Sequence, residues 1–338
     1  GTSSTEGYFD NVSVKEYLGQ EVVPNSGCGS WLLEPQSTNL VTDSNNQNDS
    51  WVKSAGVTFN KNTDTSPDGT QNAGTLSFSS TNELFRLITS SGNPDTKTFT
   101  ASVYLKAGTA TTVQIGILGS GGGLGYVQKD VILTDQWQRF SVTSTFNGAG
   151  DNVRFRMKYI EAGSMFFYGA QIEENSYPTS YIPTQGTIST RLQDIANNSG
   201  NASLINSEEG TIYAEISALS DNVLSSQRTI QLEGLNGSSD NEIAIQYISE
   251  GLRFLVYGNS VLQLNTSQSV ALDSYTKIAL LYKNDVFKIY INGTERYNVS
   301  GSYTMPIGLN KINFNRSNSS HFYGKNKALA VYKTALTD

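Results

Sequence analysis

At 338 residues the chain is long enough for two ordinary domains, each with its own core. Charged residues make up 16 % of it, against about a quarter of an average globular chain, and with a formal net charge of −7 and no basic stripe it argues against a nucleic-acid partner. No apolar run approaches the roughly 20 residues of a membrane-spanning helix, the single Cys28 rules out an internal disulfide framework, and the single His321 removes any zinc site that needs several histidines.

The polar residues are mostly Gly, Ser, Thr and Asn, a surface of hydroxyls and amides that suits extracellular or particle-surface proteins and turn-rich all-β folds. No signal-peptide pattern opens the chain, and a start at Gly1 suggests a processed or truncated product. Residues 7–17, GYFDNVSVKEY, alternate apolar and polar positions and end in charged residues, like the closing strand of a sandwich. Residues 1–26 are therefore expected to be the last strand of a preceding module, or a strand exchanged between chains, followed by a linker.

Strands are then expected at 57–60, 74–79, 84–89, 97–106, 111–118, 127–133, 138–145, 152–159 and 165–173. Each is short, rich in β-branched or aromatic residues, and bounded by Gly, Asn, Asp or Pro. The series reads as an antiparallel jelly roll over 27–191, with a Pro67-Asp68-Gly69 turn and a flexible SGGG tip at 120–123. A glycine run with no GK[ST] and no following helix is not a phosphate cradle. Two prolines and a polar stretch interrupt the rhythm, so 192–210 reads as a linker.

A second series over 211–338 is expected to form another sandwich, with strands at 211–217, 228–233, 242–248, 252–257, 261–264, 275–283, 286–291, 294–299, 311–315 and 327–332. Its clearest hairpin is YKNDVFKIYINGTERY, where Asn292-Gly293 suits a two-residue type I′ turn. The fold class expected is thus all-β: two antiparallel sandwiches, the first a jelly roll, preceded by an isolated strand.

Several motifs carry a resemblance. GCGSWLLEPQSTNLV (27–41), SPDGTQNAGTL (66–76), FTASVYLKAGTATTVQIGI (from Phe99), Trp137-Gln138-Arg139 and GAQIEENSYPTSYIPTQGTISTR (169–191) together resemble a module of tailed-phage tail-fibre, head-fibre and spike-like proteins. That module is similar to carbohydrate-binding jelly rolls, and FDNVSVKE (9–16) looks like its closing strand. Residues 210–338 resemble the laminin-G or concanavalin A-like lectin sandwich, above all in YKNDVFKIYINGTERY and ALAVYKTALTD. The resemblance implies a non-enzymatic virion surface protein that contributes glycan binding or host adhesion. Its partners would be a host-surface polysaccharide, other virion proteins and further copies of itself, a trimer by family likeness. Carbohydrate-binding modules of a secreted or cell-surface bacterial protein, or a ligand-free spacer of the particle, are the alternatives.

Sugar recognition calls for aromatic rings against the apolar face of a pyranose, with amides and Arg to hold hydroxyls. Candidates of those types are Trp51, Phe85, Arg86, Tyr104, Tyr126 and Trp137 in the first half. In the second half they are Arg228, Tyr247, Tyr257, His321 and Tyr323, with Asn315 and Arg316 beside them. No catalytic residue is expected: Asp64, Asp68, Asp130, Asp240 and Asp285 fall in turns, and Glu215, Glu233 and Glu242 read as solvent-facing on separate strands rather than a glycosidase pair. No cofactor is required, but oxygen-rich loops offer places for a structural calcium, at Asp240, Asn241 and Glu242 or at Asp43 and Asp49.

Overall fold

The structure, a computed structural model, describes residues 29–80, 84–90, 93–119, 125–147, 152–160, 162–219, 228–234, 240–317 and 320–336. The expected closing strand at 7–17, the SGGG tip and the segment 235–239 beside Asp240 lie outside them. Every regular element among the described residues is a strand. In chain order the first are β1 (Trp31–Leu33), β2 (Ser37–Asn39), β3 (Val52–Lys53), β4 (Val57–Asp64), β5 (Ala73–Phe78), β6 (Leu84–Ser90), β7 (Thr98–Ala107), β8 (Thr112–Gly119), β9 (Val127–Ile132), β10 (Gln138–Thr145), β11 (Asn152–Tyr159), β12 (Gly163–Glu173) and β13 (Ser189–Arg191). The second series is β14 (Glu209–Ala218), β15 (Arg228–Glu233), β16 (Glu242–Ile248), β17 (Gly251–Gly258), β18 (Val261–Gln268), β19 (Thr276–Lys283), β20 (Val286–Ile291), β21 (Thr294–Ser300), β22 (Lys311–Asn313) and β23 (Gly324–Tyr332).

In the first sandwich, a sheet ordered β10-β7-β12-β5-β4 packs on one ordered β3-β6-β11-β8-β9, all antiparallel. Alternation puts Phe99, Val103 and Leu105 of β7 and Val153, Phe155 and Met157 of β11 into one core. The first sheet carries a second apolar layer on its outer face, where Tyr104, Tyr168 and Tyr181 pack together beside Ala73 and Trp137. The turn before β5 holds this layer down, since Tyr168 Oη donates to Asp68 Oδ2 at 2.9 Å.

Burial raises the Asp68 carboxyl, but hydrogen bonds from Thr70, Ser66 and Asn72 outweigh it and hold the group at about 2. Because that lies below the ordinary 3.8, the stabilisation is present above pH 3.8 and is lost as pH falls through about 2. The turn is partly exposed, which keeps the effect to about 1 kcal/mol. Asp68→Asn is thus expected to lower Tm by about 2–4 °C at neutral pH, with the difference from wild type vanishing towards pH 2, as calorimetry would show.

The second sandwich pairs a six-stranded sheet, β1-β23-β14-β19-β20-β21, with a five-stranded one, β18-β17-β16-β15-β22. Its core includes Ile212, Ala214, Ile243, Ile245, Phe254, Leu280, Phe287 and Ile289. The Asn292-Gly293 hairpin forms as the sequence suggests, with φ of 52° and 80° and Ile291 paired to Thr294, as a type I′ turn requires.

Two boundaries differ from the sequence reading. Trp31–Leu33, expected in the first sandwich, pairs with the start of β23 and sends Leu33 into the second core. The expected linker 192–210 is laid along the second sandwich: Ser199 bridges Ile312, Ile205 is buried in the core, and β14 already begins at Glu209. A buried polar clasp then closes the first sandwich. β2 pairs with β13, Asn39 Nδ2 donates to Ala170 O and Ile182 O, and Glu173 accepts from Ser37 Oγ and Thr179 N. Residues 37–39 of the first motif and 170–191 of the second are therefore the two sides of a structural closure.

Candidate functional site

Most of the aromatic residues expected to touch sugar are packing residues. Trp51 is 2 % exposed and stacks on fully buried Phe85 at 4.6 Å, with Phe155 and Phe167 presenting their edges. The polar stretch around Trp51 misled the reading because its polarity is local hydrogen bonding. Asp43 accepts from Gln47 N, Asn48 N and Ser50 Oγ, Asn46 Oδ1 accepts from Trp51 N, and the indole N–H donates to Asp43 O. These bonds give Asp43 the role of a turn residue, and Asp49 pairs with Lys61 at 2.7 Å. Tyr104 is buried in the outer layer beneath the Arg139 guanidinium, 5.4 Å from its ring. Trp137 is half-buried, donates to Thr65 O and has the Lys106 ammonium 5.2 Å over its ring. Arg86 and Tyr126 differ from the others, both lying on the outer face of the β3-β6-β11-β8-β9 sheet.

In the second sandwich Tyr247 is fully buried and donates to Ile216 O, so it belongs to the core. Arg228, His321 and Tyr323 come together: the guanidinium lies 5.0 Å over the tyrosine ring, the imidazole stacks on it at 5.8 Å, and Tyr323 Oη donates to Gln193 Oε1. Arg228 and Tyr323 are buried in that stack, which leaves them little surface for a ligand. Tyr257 is half-buried with Arg316 5.8 Å over its ring.

Arg316 grips Glu242, with Nε at 2.9 and 3.1 Å from the two carboxylate oxygens and Nη2 at 2.5 Å, and this partner holds the guanidinium above its ordinary range. Glu242 is 0 % exposed, not solvent-facing. Asn241 Oδ1 accepts from Asn259 N and Ile307 N, and Asp240 accepts from Ser260 Oγ. The three expected calcium ligands therefore serve separate partners, with none in common. Among the described residues, no three His, Cys, Asp or Glu side chains converge as a metal site would need.

A depression none of the sequence candidates lines lies on the outer face of the six-stranded sheet. It encloses about 590 Å³ between Tyr213, Lys277, Ala279, Leu281, Tyr290 and Leu336. The register places Ala279 directly between Tyr213 on β14 and Tyr290 on β20. The two tyrosines stand one strand apart on either side, about 10 Å between backbones, with a methyl group as the floor. Tyr290 is fixed at its far end by a Glu–Lys pair. Tyr290 Oη donates to Glu295, which Lys288 approaches at 3.7 Å. Glu215 lies beside the Tyr213 hydroxyl and pairs with Lys327 at 3.1 Å; burial first, then that carboxylate, raises the tyrosine above its ordinary range. Two pre-positioned rings over a small floor are suited to hold a flat, partly apolar ring such as a pyranose. The sequence offered no signal for this trio beyond strand alternation, because its members come from three strands.

The Laminin_G_3 family, described as the concanavalin A-like lectin/glucanases superfamily, matches residues 193–338. No curated protein sequence matches the chain. Among solved structures it is similar to the CBM40 domain of a Ruminococcus gnavus sialidase bound to α2,3-sialyllactose, at 17 % identity over 43 % of this chain and 90 % of that one, TM-score 0.34. It is also similar to the tandem CBM22 domains of Paenibacillus barcinonensis Xyn10C, at 9 % identity over 90 % and 99 %, TM-score 0.34. Mouse laminin α1 domains LG4-5 align at 11 % identity over 83 % and 89 %, TM-score 0.29. No helix among the described residues is long and apolar enough to cross a membrane. The chain thus joins two antiparallel β-sandwiches, of which residues 193–338 match the concanavalin A-like lectin/glucanases superfamily.

Proposed function

We propose that this is a non-enzymatic glycan-binding protein displayed outside the cell, with sugar held in the depression between Tyr213 and Tyr290. The observation that carries this reading is the pair of tyrosines flanking Ala279, on a sandwich that matches a lectin family. The carboxylates of the same sandwich act as ion-pair partners, Glu242 with Arg316, Glu233 with Lys311 at 3.2 Å and Glu215 with Lys327, which suits binding better than hydrolysis. A glycan array that includes bacterial surface polysaccharides tests it. Saturable binding to one polysaccharide class is expected. Tyr290→Ala, or Ala279→Leu to fill the floor, should weaken it about tenfold, equivalent to about 1.4 kcal/mol, without changing the melting temperature. Binding that survives both substitutions would place the sugar elsewhere.

The setting we infer is the surface of a tailed-phage particle, supported by the motifs at 27–41 and 169–191, with carbohydrate-binding modules of a secreted bacterial protein as the alternative. Light scattering separates them: three chain masses are expected for a fibre and one for isolated modules.

A further inference from the structure

The outer face of the β3-β6-β11-β8-β9 sheet gathers positive charge that has no ion-pair partner among the described residues. Val153, Phe155 and Met157 point into the core, so Arg154, Arg156 and Lys158 share the opposite face. Arg86 on β6 is the direct cross-strand partner of Arg156. Like charges placed directly opposite destabilise a sheet, and in a chain with 30 acidic residues a carboxylate could have relieved them. Among the described residues none does. No carboxylate lies within ion-pair reach of these four cations, and Asp130, on the same face, is bonded instead to Gln114 Nε2 at 2.8 Å.

Arg156 is also poised rather than loose. Its guanidinium lies 4.6 Å over the ring of Tyr126, which is 39 % exposed, and Nη2 donates to Gln128 Oε1 at 2.9 Å. Its Nε is buried and has no acceptor among the described residues. Burial lowers this guanidinium below its ordinary range, the opposite of Arg316, which has Glu242. On the next strand Gly116, the cross-strand partner of Arg156, lets that side chain lie across its backbone towards Gln128, since a Cβ there would come within 3.5 Å of Arg156 Nε. The face therefore brings together Arg86 and Arg156 from adjacent strands, an aromatic ring and the Gln128 amide.

We propose that this face is a second glycan site, specific for acidic polysaccharides, in which sugar carboxylates are held by Arg86 and Arg156 while a ring lies against the exposed Tyr126. A planar guanidinium matches a carboxylate bidentately, a geometry that hydroxyl recognition does not need. From the preceding reading the proposal takes only that the ligand is a glycan; the residues are different, so the two fail separately. Uronate polymers and polysialic acid share the recognised group.

Calorimetric titration of the full chain with polygalacturonate, alginate and polysialic acid, each beside its methyl-esterified form, tests it. Dextran, mannan and a DNA duplex serve as controls. At least one acidic polymer is expected to bind, more weakly as salt rises, and its methyl ester at least tenfold more weakly. Arg86→Gln and Arg156→Gln should each weaken the acidic polymer about tenfold to a hundredfold, while Tyr290→Ala leaves it unchanged. Arg86, whose substitution leaves the Arg156 contacts to Tyr126 and Gln128 in place, is the second test should the Arg156 variant fold poorly. Equal binding of acid and ester, or unchanged binding in both arginine variants, overturns the proposal, as does equal binding of the DNA duplex, which would mark a general polyanion surface. Binding of neutral polymers alone overturns it and leaves the site at Tyr290 standing. Absence of binding to any glycan overturns both.

Discussion

Trp51→Ala should lower the unfolding free energy of the first sandwich by about 3–5 kcal/mol, the range for removing a large aromatic from a packed core. The indole is in contact with Phe85, Phe155 and Phe167, and its N–H satisfies the carbonyl of Asp43. Truncation leaves a cavity among rings that cannot collapse, because each is fixed on a different strand, and it leaves that carbonyl to find another donor. Urea denaturation, with the transitions of the two sandwiches resolved, measures the loss. A change below about 1 kcal/mol would mean that Trp51 is not the core residue its burial describes. If the variant remains folded at low temperature, glycan binding should persist, which separates packing from contact.

Arg316→Leu should destabilise the second sandwich by about 3–5 kcal/mol, since it strands the Glu242 carboxylate on a surface with no exposure to water. The effect comes mainly from the unpaired charge rather than from the strength of the ion pair, because desolvation offsets most of the attraction between buried ions. The double variant Arg316→Leu/Glu242→Leu should therefore regain most of the loss, and a double-mutant cycle shows it as a large coupling energy. A double variant no more stable than Arg316→Leu alone would mean that the arginine matters through its packing on Tyr257 instead. Neither residue belongs to either proposed sugar site, so residual binding by folded variants should be normal.

These expectations bear on how function could be read from residue type. Trp51, Phe85 and Tyr247 were attractive as stacking groups because large aromatics serve sugars, but the same surface area makes them the best core residues. What separates the two uses is which face of the strand is covered, and that is settled by the opposing sheet. Trp51 stands in a polar stretch whose Asp and Asn side chains turn back onto its own backbone, so local polarity gave no warning of burial.

By itself the sequence determined the all-β class, most strand positions, the type I′ turn at Asn292-Gly293, and the alternation in Arg154-Phe155-Arg156-Met157-Lys158 that commits three cations to one face. All of these depend on interactions over a few residues: steric preference for the extended backbone, positive φ in a tight turn, and a side-chain period of two. Only the tertiary structure decided that Trp31–Leu33 joins the second sandwich, that Arg86 stands opposite Arg156, and that Ala279 lies between Tyr213 and Tyr290. Each of these is a pairing between strands far apart in sequence. Strand register follows from how two whole faces bury their apolar side chains together, and no local stretch of residues encodes that.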